Sequence, residues 1–194
     1  MNQDIENDYK ERMACRSGSH LDINEHLETL SVYASKCRSI VEFGTRTGNS
    51  TVALLHGLES QGNGILHSFD INDTPYKPPA DLNAIWKFTK ADTSLLEDIP
   101  ICDMLFIDTL HTADQVRAEL KFAYKCNKYI FLHDTVTFGD KGENGQDGIT
   151  RAIYEFLADN TEWRVMQHWS NNNGLLGLVR FHSDNIFQPN NNQI

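Results

Sequence analysis

The sequence predicts an α/β protein: a Rossmann-like, doubly wound, mainly parallel seven-stranded sheet that closes in a C-terminal antiparallel hairpin. Three observations predict it. From residue 39 onward, short apolar runs alternate with stretches of helical periodicity, the trace that successive βαβ units leave in a sequence. Polar residues, mostly acids, close one apolar run after another: Glu42, Asp70, Asp108 and the pair His133-Asp134. Lastly, Asn171-Asn172-Asn173-Gly174 separates two late apolar runs by a turn too short for a crossover helix.

In chain order, Leu27, Leu30, Tyr33, Ala34 and Cys37 recur at helical spacing, so Asn24–Cys37 is expected to form an amphipathic helix ahead of the sheet. Ser39–Phe43 is a strand, Asn49–Leu58 a helix and Gly64–Phe69 a strand ending at Asp70. The Pro-containing stretch Thr74–Asp81 leads to an expected short helix near Leu82–Trp86 and a weak strand at Lys87–Ala91. Cys102–Ile107 is the clearest buried strand. The helix Thr112–Lys125 follows, with Val116, Leu120 and Ala123 on one face, and then the short strand Tyr129–Leu132. The Gly-rich segment Gly139–Gly148 interrupts before the helix Ile149–Ala158. Trp163–His168 and Leu175–Phe181 should pair as the hairpin.

The 194 residues suffice for one full domain and not comfortably for two. Expected boundaries are a polar N-terminal arm or short helical cap over 1–20, a single domain over 21–183 and a disordered tail over 184–194. Hydrophobic residues make up 40% and charged residues 23%, ordinary for a globular protein, and 27 acids against 17 Lys and Arg give a formal charge of −10. Such a surface repels phosphate backbones, which argues against a nucleic-acid substrate. Cys15, Cys37, Cys102 and Cys126 form no C-x-x-C pair, a usage that fits a reducing cytoplasm. The acidic N-terminus does not read as a signal peptide, and no run reaches membrane-spanning length.

The stretch Ile40–Thr51 (IVEFGTRTGNST) holds the most chemical information. An apolar strand ends in a carboxylate, turns through two glycines and enters a helix, so a ligand there can touch bare backbone beside a helix N-terminus. A dinucleotide fingerprint would need glycine at Arg46 and Asn49. A P-loop would need four residues between Gly44 and Gly48, and Lys at Asn49. Both familiar nucleotide readings are weakened.

The remaining reading is S-adenosylmethionine. Asp70, with Ile71 beside it, could accept ribose hydroxyls, Asp92 and Thr93 could meet the adenine edge, and Asp108 could receive the ammonium end. Amides at Gly48, Asn49 and Ser50 suit the methionine carboxylate. The expected cofactor set is therefore Glu42, Gly44, Thr45, Arg46, Gly48, Asn49, Ser50, Asp70, Ile71, Asp92, Thr93 and Asp108. Asp108, His133 and Asp134 would make a hard-cation site completed by water and substrate. The bland alternative has His133 packing at the sheet edge and Asp134 capping a turn. His111, three residues past Asp108, is the candidate base; its bland alternative is a solvent-facing histidine at a helix start.

The motifs Glu-Phe-Gly-Thr-Arg-Thr-Gly-Asn-Ser, Ser-Phe-Asp, Asp-x-x-His and His-Asp-Thr resemble class I S-adenosylmethionine-dependent methyltransferases. More narrowly, the chain resembles the branch of cephalosporin-hydroxylase-type proteins and macrolide-sugar O-methyltransferases, from about Asn24 to Phe181. The resemblance implies a divalent cation, Mg²⁺ or Mn²⁺, on Asp108, His133 and Asp134, and a His or Lys base at the position of His111. It also implies methyl transfer to a hydroxyl of a sugar, glycan or other vicinally hydroxylated small molecule. His133 departs from the pattern, which has an acid there; this could favour Mn²⁺ or a softer metal, or leave none bound. Some relatives carry an extra N-terminal domain that this sequence does not show, so their oligomeric contacts do not carry over and a homo-oligomer stays open.

Two alternatives stand beside this expectation: a non-catalytic cofactor-binding subunit, and a metallohydrolase using Asp108, His111, His133 and Asp134. Thr135–Gly148 is either a lid over the site or a surface loop without catalytic part. Trp169 and Asn171–Asn173 either line the acceptor pocket or serve the hairpin turn.

Overall fold

The computed structural model describes residues 1–15 and 22–181. The expected tail at 184–194 and residues 16–20 of the expected arm lie outside them. The helix α1 (Gln3–Ala14) precedes α2 (Leu27–Ala34), which is entered through a 3-10 turn at Asn24–His26. Then come β1 (Ser39–Phe43), α3 (Asn49–Ser60), β2 (Gly64–Asp70), β3 (Ala84–Lys90) and β4 (Cys102–Ile107). The helix α4 (Ala113–Leu120), β5 (Cys126–His133), α5 (Ile149–Asp159), β6 (Trp163–Trp169) and β7 (Leu175–Arg180) complete the chain.

The strands form one seven-stranded sheet in the order β3-β2-β1-β4-β5-β7-β6. The first five pair in parallel, and β7 inserts antiparallel between β5 and β6. This is the expected Rossmann-like architecture with its antiparallel hairpin. Both faces are covered, and strand parity shows how. Ile40, Met104 and Phe106 pack in one apolar cluster with Leu54 and Leu58 of α3. Val41, Leu105 and Ile107 pack in the other, with Val116 of α4 and Ile153 of α5. Central strands buried on both faces read as continuous apolar runs, which is why β1 and β4 were plain in the sequence.

Several elements differ from expectation. Residues 82–86 form no helix; Ala84–Lys90 is a single edge strand paired in register with β2. Its burial alternates, with Ala84, Trp86 and Phe88 on the covered face and Ile85, Lys87 and Thr89 exposed, a period that outranks the weak helical signal. The expected helix Thr112–Lys125 is α4 plus a 3-10 segment, Lys121–Lys125, with Thr112 as N-cap accepting from the Gln115 amide. The short strand Tyr129–Leu132 extends to Cys126–His133. At the N-terminus the helical alternative holds: Ile5 and Tyr9 of α1 are buried, and Glu6 Oε2 lies 2.7 Å from His56 Nε2 on α3.

Candidate active site

A cavity of about 930 Å³ opens above the carboxyl ends of the parallel strands, where ligands collect in open α/β sheets. The loops after β1, β2, β3 and β4 line it, together with Asp134 after β5 and Asn173 of the hairpin turn.

The β1–α3 turn is shaped by two glycines. Gly44 has φ +89°, and a Cβ there would stand 1.8 Å from the Asp108 carbonyl oxygen. Only hydrogen fits, so β1 and β4 loops touch backbone to backbone. Gly48, at φ +83°, is the N-cap of α3, and a Cβ on it would enter the Tyr76 ring at 2.5 Å. Arg46 adopts φ +47° without being glycine. Asp70 holds this turn: its Oδ2 accepts the Thr45 and Arg46 amides at 2.9 and 2.8 Å, and its Oδ1 accepts the Asn72 amide at 2.8 Å. Thr45 and Thr47 each carry a buried side-chain hydroxyl that makes no hydrogen bond within the protein; both residues line the cavity.

Glu42 is placed elsewhere than expected. Its side chain is fully buried, shares the α3-facing parity of Ile40, and does not line the cavity. Its oxygens accept hydroxyl hydrogen bonds from Ser50 (2.6 Å), Thr51 (2.9 and 3.1 Å) and Ser68. Burial pushes its carboxyl up to about 7 against these bonds. It therefore ties α3 to the sheet rather than facing a ligand. The other expected cofactor residues with a cavity wall are Gly44, Thr45, Arg46, Asn49, Ser50, Asp70, Ile71, Asp92, Thr93 and Asp108; Gly48 shapes the turn from behind. The Asp92 carboxylate caps its own short turn by accepting the Ser94 amide at 2.9 Å.

Farther along the cavity, Asp108, His133 and Asp134 each offer one ligand atom, all within 4.8 Å of one another. His133 Nδ1 is 3.4 Å from Asp108 Oδ1 and 3.2 Å from Asp134 Oδ2, yet it is buried and has no aligned hydrogen bond. Its Nε2–H donates to the Asn172 carbonyl at 3.1 Å. This donor set fits a divalent cation: two carboxylates, and an imidazole whose far nitrogen is anchored to a backbone acceptor.

His111 sits beside this group. Its Nε2 is 2.9 Å from Asp134 Oδ2 and 3.4 Å from Asp108 Oδ1, and its Nδ1–H donates to Glu143 Oε1 at 2.7 Å. Phe138 stacks flat on the ring, with centroids 4.6 Å apart. Burial lowers the affinity of both imidazoles for a proton, but bonds and charges from Asp108 and Asp134 outweigh it and push His111 and His133 up to about 10. The same histidines hold the Asp108 carboxyl well below the usual range, against its burial.

Glu143 and Phe138 were not singled out in the sequence. Both lie within the Thr135–Gly148 segment, which is tied down by backbone bonds: Glu143 N–H to the His111 carbonyl at 3.1 Å and Ala113 N–H to the Asp147 carbonyl at 2.9 Å. Gln115 and Glu119 were missed as well. Glu119, fully buried, accepts from Thr93, Thr109 and Gln115, three residues of the cavity wall. A Gln and a Glu one turn apart on α4 gave no signal beyond a polar helix face. Of the hairpin candidates, Asn173 reaches the cavity, whereas Trp169 stacks on Phe131 in the core.

Comparison with known proteins agrees with this architecture. Residues 41–135 match the family described as a methyltransferase domain. An O-methyltransferase from Bacillus cereus solved with S-adenosylhomocysteine is 19% identical, with a TM-score of 0.57 over 93% of this chain and 91% of that one. An S-adenosylhomocysteine-bound methyltransferase from Podospora anserina is 14% identical (TM-score 0.55; 94% and 89% covered). The O-methyltransferase TomG of Streptomyces achromogenes, involved in tomaymycin synthesis and solved with S-adenosylmethionine, is 14% identical (0.54; 90% and 95%). No curated protein matches the sequence.

Proposed function

We propose that this chain is a class I S-adenosylmethionine-dependent methyltransferase that transfers a methyl group to a hydroxyl of a small-molecule acceptor with the help of a divalent cation, a reading that the methyltransferase-domain match over residues 41–135 supports. The observation that carries the reading is the meeting of Asp108, His111, His133 and Asp134 beside a cavity whose other end is the glycine turn. When bound, S-adenosylmethionine supplies an electrophilic methyl on a sulfonium, and the cation acidifies an oxygen it touches.

The residues divide the work. The amides at the start of α3 offer donors to the amino-acid end of the cofactor. Asp70 spends three acceptor sites on the turn, which leaves it about one lone pair for a ribose hydroxyl rather than the two first expected. Asp92 and Thr93 wall the adenine end. Asp108, His133 and Asp134 hold the cation.

His111 is the base. Between Asp108 and Asp134 it keeps its proton well past neutrality; once those carboxylates share their charge with a cation, that proton is held less tightly. With that proton released, His111 would stand ready to accept the acceptor's proton at Nε2. A neighbouring diol suits such a site by chelation, which supports a sugar, glycan or other vicinally hydroxylated acceptor. Four free cysteines among the described residues support a cytoplasmic setting. Among those residues no helix is long and apolar enough to cross a membrane.

The test is calorimetry with S-adenosylmethionine, followed by methyl transfer from labelled cofactor to a panel of polyhydroxylated acceptors. Saturable binding with chelator-sensitive transfer supports the reading; no cofactor binding at millimolar concentration removes it.

A further inference from the structure

The His133 position has a feature that the acid pattern does not provide. Asn171-Asn172-Asn173-Gly174 turns with φ +44° at Asn172, +69° at Asn173 and +94° at Gly174, which aims two successive carbonyls inward. The Asn171 carbonyl accepts His26 Nε2–H at 3.0 Å, and the Asn172 carbonyl accepts His133 Nε2–H at 3.1 Å. A carbonyl accepts only, so the proton on Nε2 is fixed and the lone pair of a neutral His133 lies on Nδ1. That atom is the buried nitrogen without an aligned partner, facing both carboxylates. The side chain is 1% exposed, so water cannot take its place. The turn is itself secured: Glu25 N–H donates to Asn172 Oδ1 at 3.0 Å, and Asn173 Nδ2–H to the Asp22 carbonyl at 3.2 Å.

From this geometry we infer that the site is built for a divalent transition ion bound through His133 Nδ1, and discriminates against Mg²⁺. Imidazole nitrogen suits the later first-row ions, whereas Mg²⁺ takes oxygen ligands and gains little from a neutral nitrogen. Replacing a carboxylate by imidazole also removes one negative charge, which penalises the hard ion most. The hairpin carbonyl is what makes the nitrogen available: the other neutral tautomer would present Nδ1–H to the cation. The inference rests on the cation site proposed above.

The test compares metal-stripped wild type with His133→Asp, which restores an all-carboxylate set. Calorimetry measures Mg²⁺ and Co²⁺ affinities, and pulsed electron paramagnetic resonance of the Mn²⁺-loaded proteins looks for ¹⁴N coupling. S-adenosylmethionine binding is measured on the same samples without metal. Wild type is expected to bind Co²⁺ at least 100-fold more tightly than Mg²⁺ and to show ¹⁴N coupling. In His133→Asp the ratio should fall at least tenfold, the coupling should vanish, and Mg²⁺ should bind more tightly. An unchanged ratio, or wild-type Mn²⁺ without nitrogen coupling, overturns the inference. If His133→Asp fails to fold, the wild-type coupling decides alone. Absence of any metal binding with cofactor binding intact overturns both cation assignments and leaves the methyltransferase reading standing.

Discussion

Glu143 Oε1 accepts the Nδ1–H of His111 at 2.7 Å, and the two residues also exchange a backbone bond, Glu143 N–H to the His111 carbonyl at 3.1 Å. The Gly-rich segment after β5 is therefore fastened to the candidate base from two sides. The carboxylate fixes the ring so that Nε2, the atom facing Asp108 and Asp134, is the one that gains or loses a proton.

Two variants address this pair. His111→Ala should lower kcat by about 10²- to 10⁴-fold, the range for loss of a general base, with cofactor affinity unchanged by calorimetry. Glu143→Gln keeps the shape and loses the charge, and should lower kcat by about tenfold or more with little effect on KM. Equal loss in cofactor binding for both variants would instead mark the pair as structural.

The proton on His111 should respond to the cation. Its pKa, followed by NMR of the ring, is expected near 10 without metal and well below that once metal is added. In Asp134→Ala metal affinity should drop by 100-fold or more, and the metal-induced shift should disappear. A His111 titration indifferent to metal would sever the cation from the base.

Stability should fall as pH rises from about 4.5 to about 7. Burial pushes the carboxyls of Glu42 and Glu119 from 4.5 up to about 7, so within that window the native chain binds protons that the unfolded chain has released. The stabilising contribution is complete below 4.5 and lost as pH passes 7, on the order of 3 kcal/mol per group. Urea titrations should show a shallower decline for Glu119→Gln than for wild type. Parallel slopes would refute the assignment.

Gly44→Ala places a methyl on the Asp108 carbonyl at a positive φ. The combined strain exceeds the roughly 1 kcal/mol of an ordinary left-handed alanine. A lowered melting temperature and lost cofactor binding should appear together, because the displaced backbone carries Asp108.

Much of this was legible beforehand. β1 and β4 are buried on both faces and announce themselves as apolar runs, and Asp108 after β4 falls where the sheet opens. The candidate cation residues could be named because Asp108 and Asp134 directly follow strands and His133 closes one. β3 was half obscured: its edge position leaves Lys87 and Lys90 exposed and dilutes the apolar signal. Glu42 was misplaced because it lies level with Phe106 and Ser68, two residues inside the strand ends where Asp108 and Asp70 stand. Glu143 was invisible, since its partner is 32 positions away and nothing local in a glycine-rich loop marks a long-range contact.

Arg12 donates to the Thr47 carbonyl at 3.2 Å and to Asn49 Oδ1, and lies over the Tyr76 ring. A chain trimmed to begin at Asp22 would lose this brace and strip one wall from behind the bend that follows the first strand. Affinity for the nucleoside should then weaken although no residue touching it had been altered. The opening fifteen residues would thus support the proposed cofactor site as well as the protein's packing.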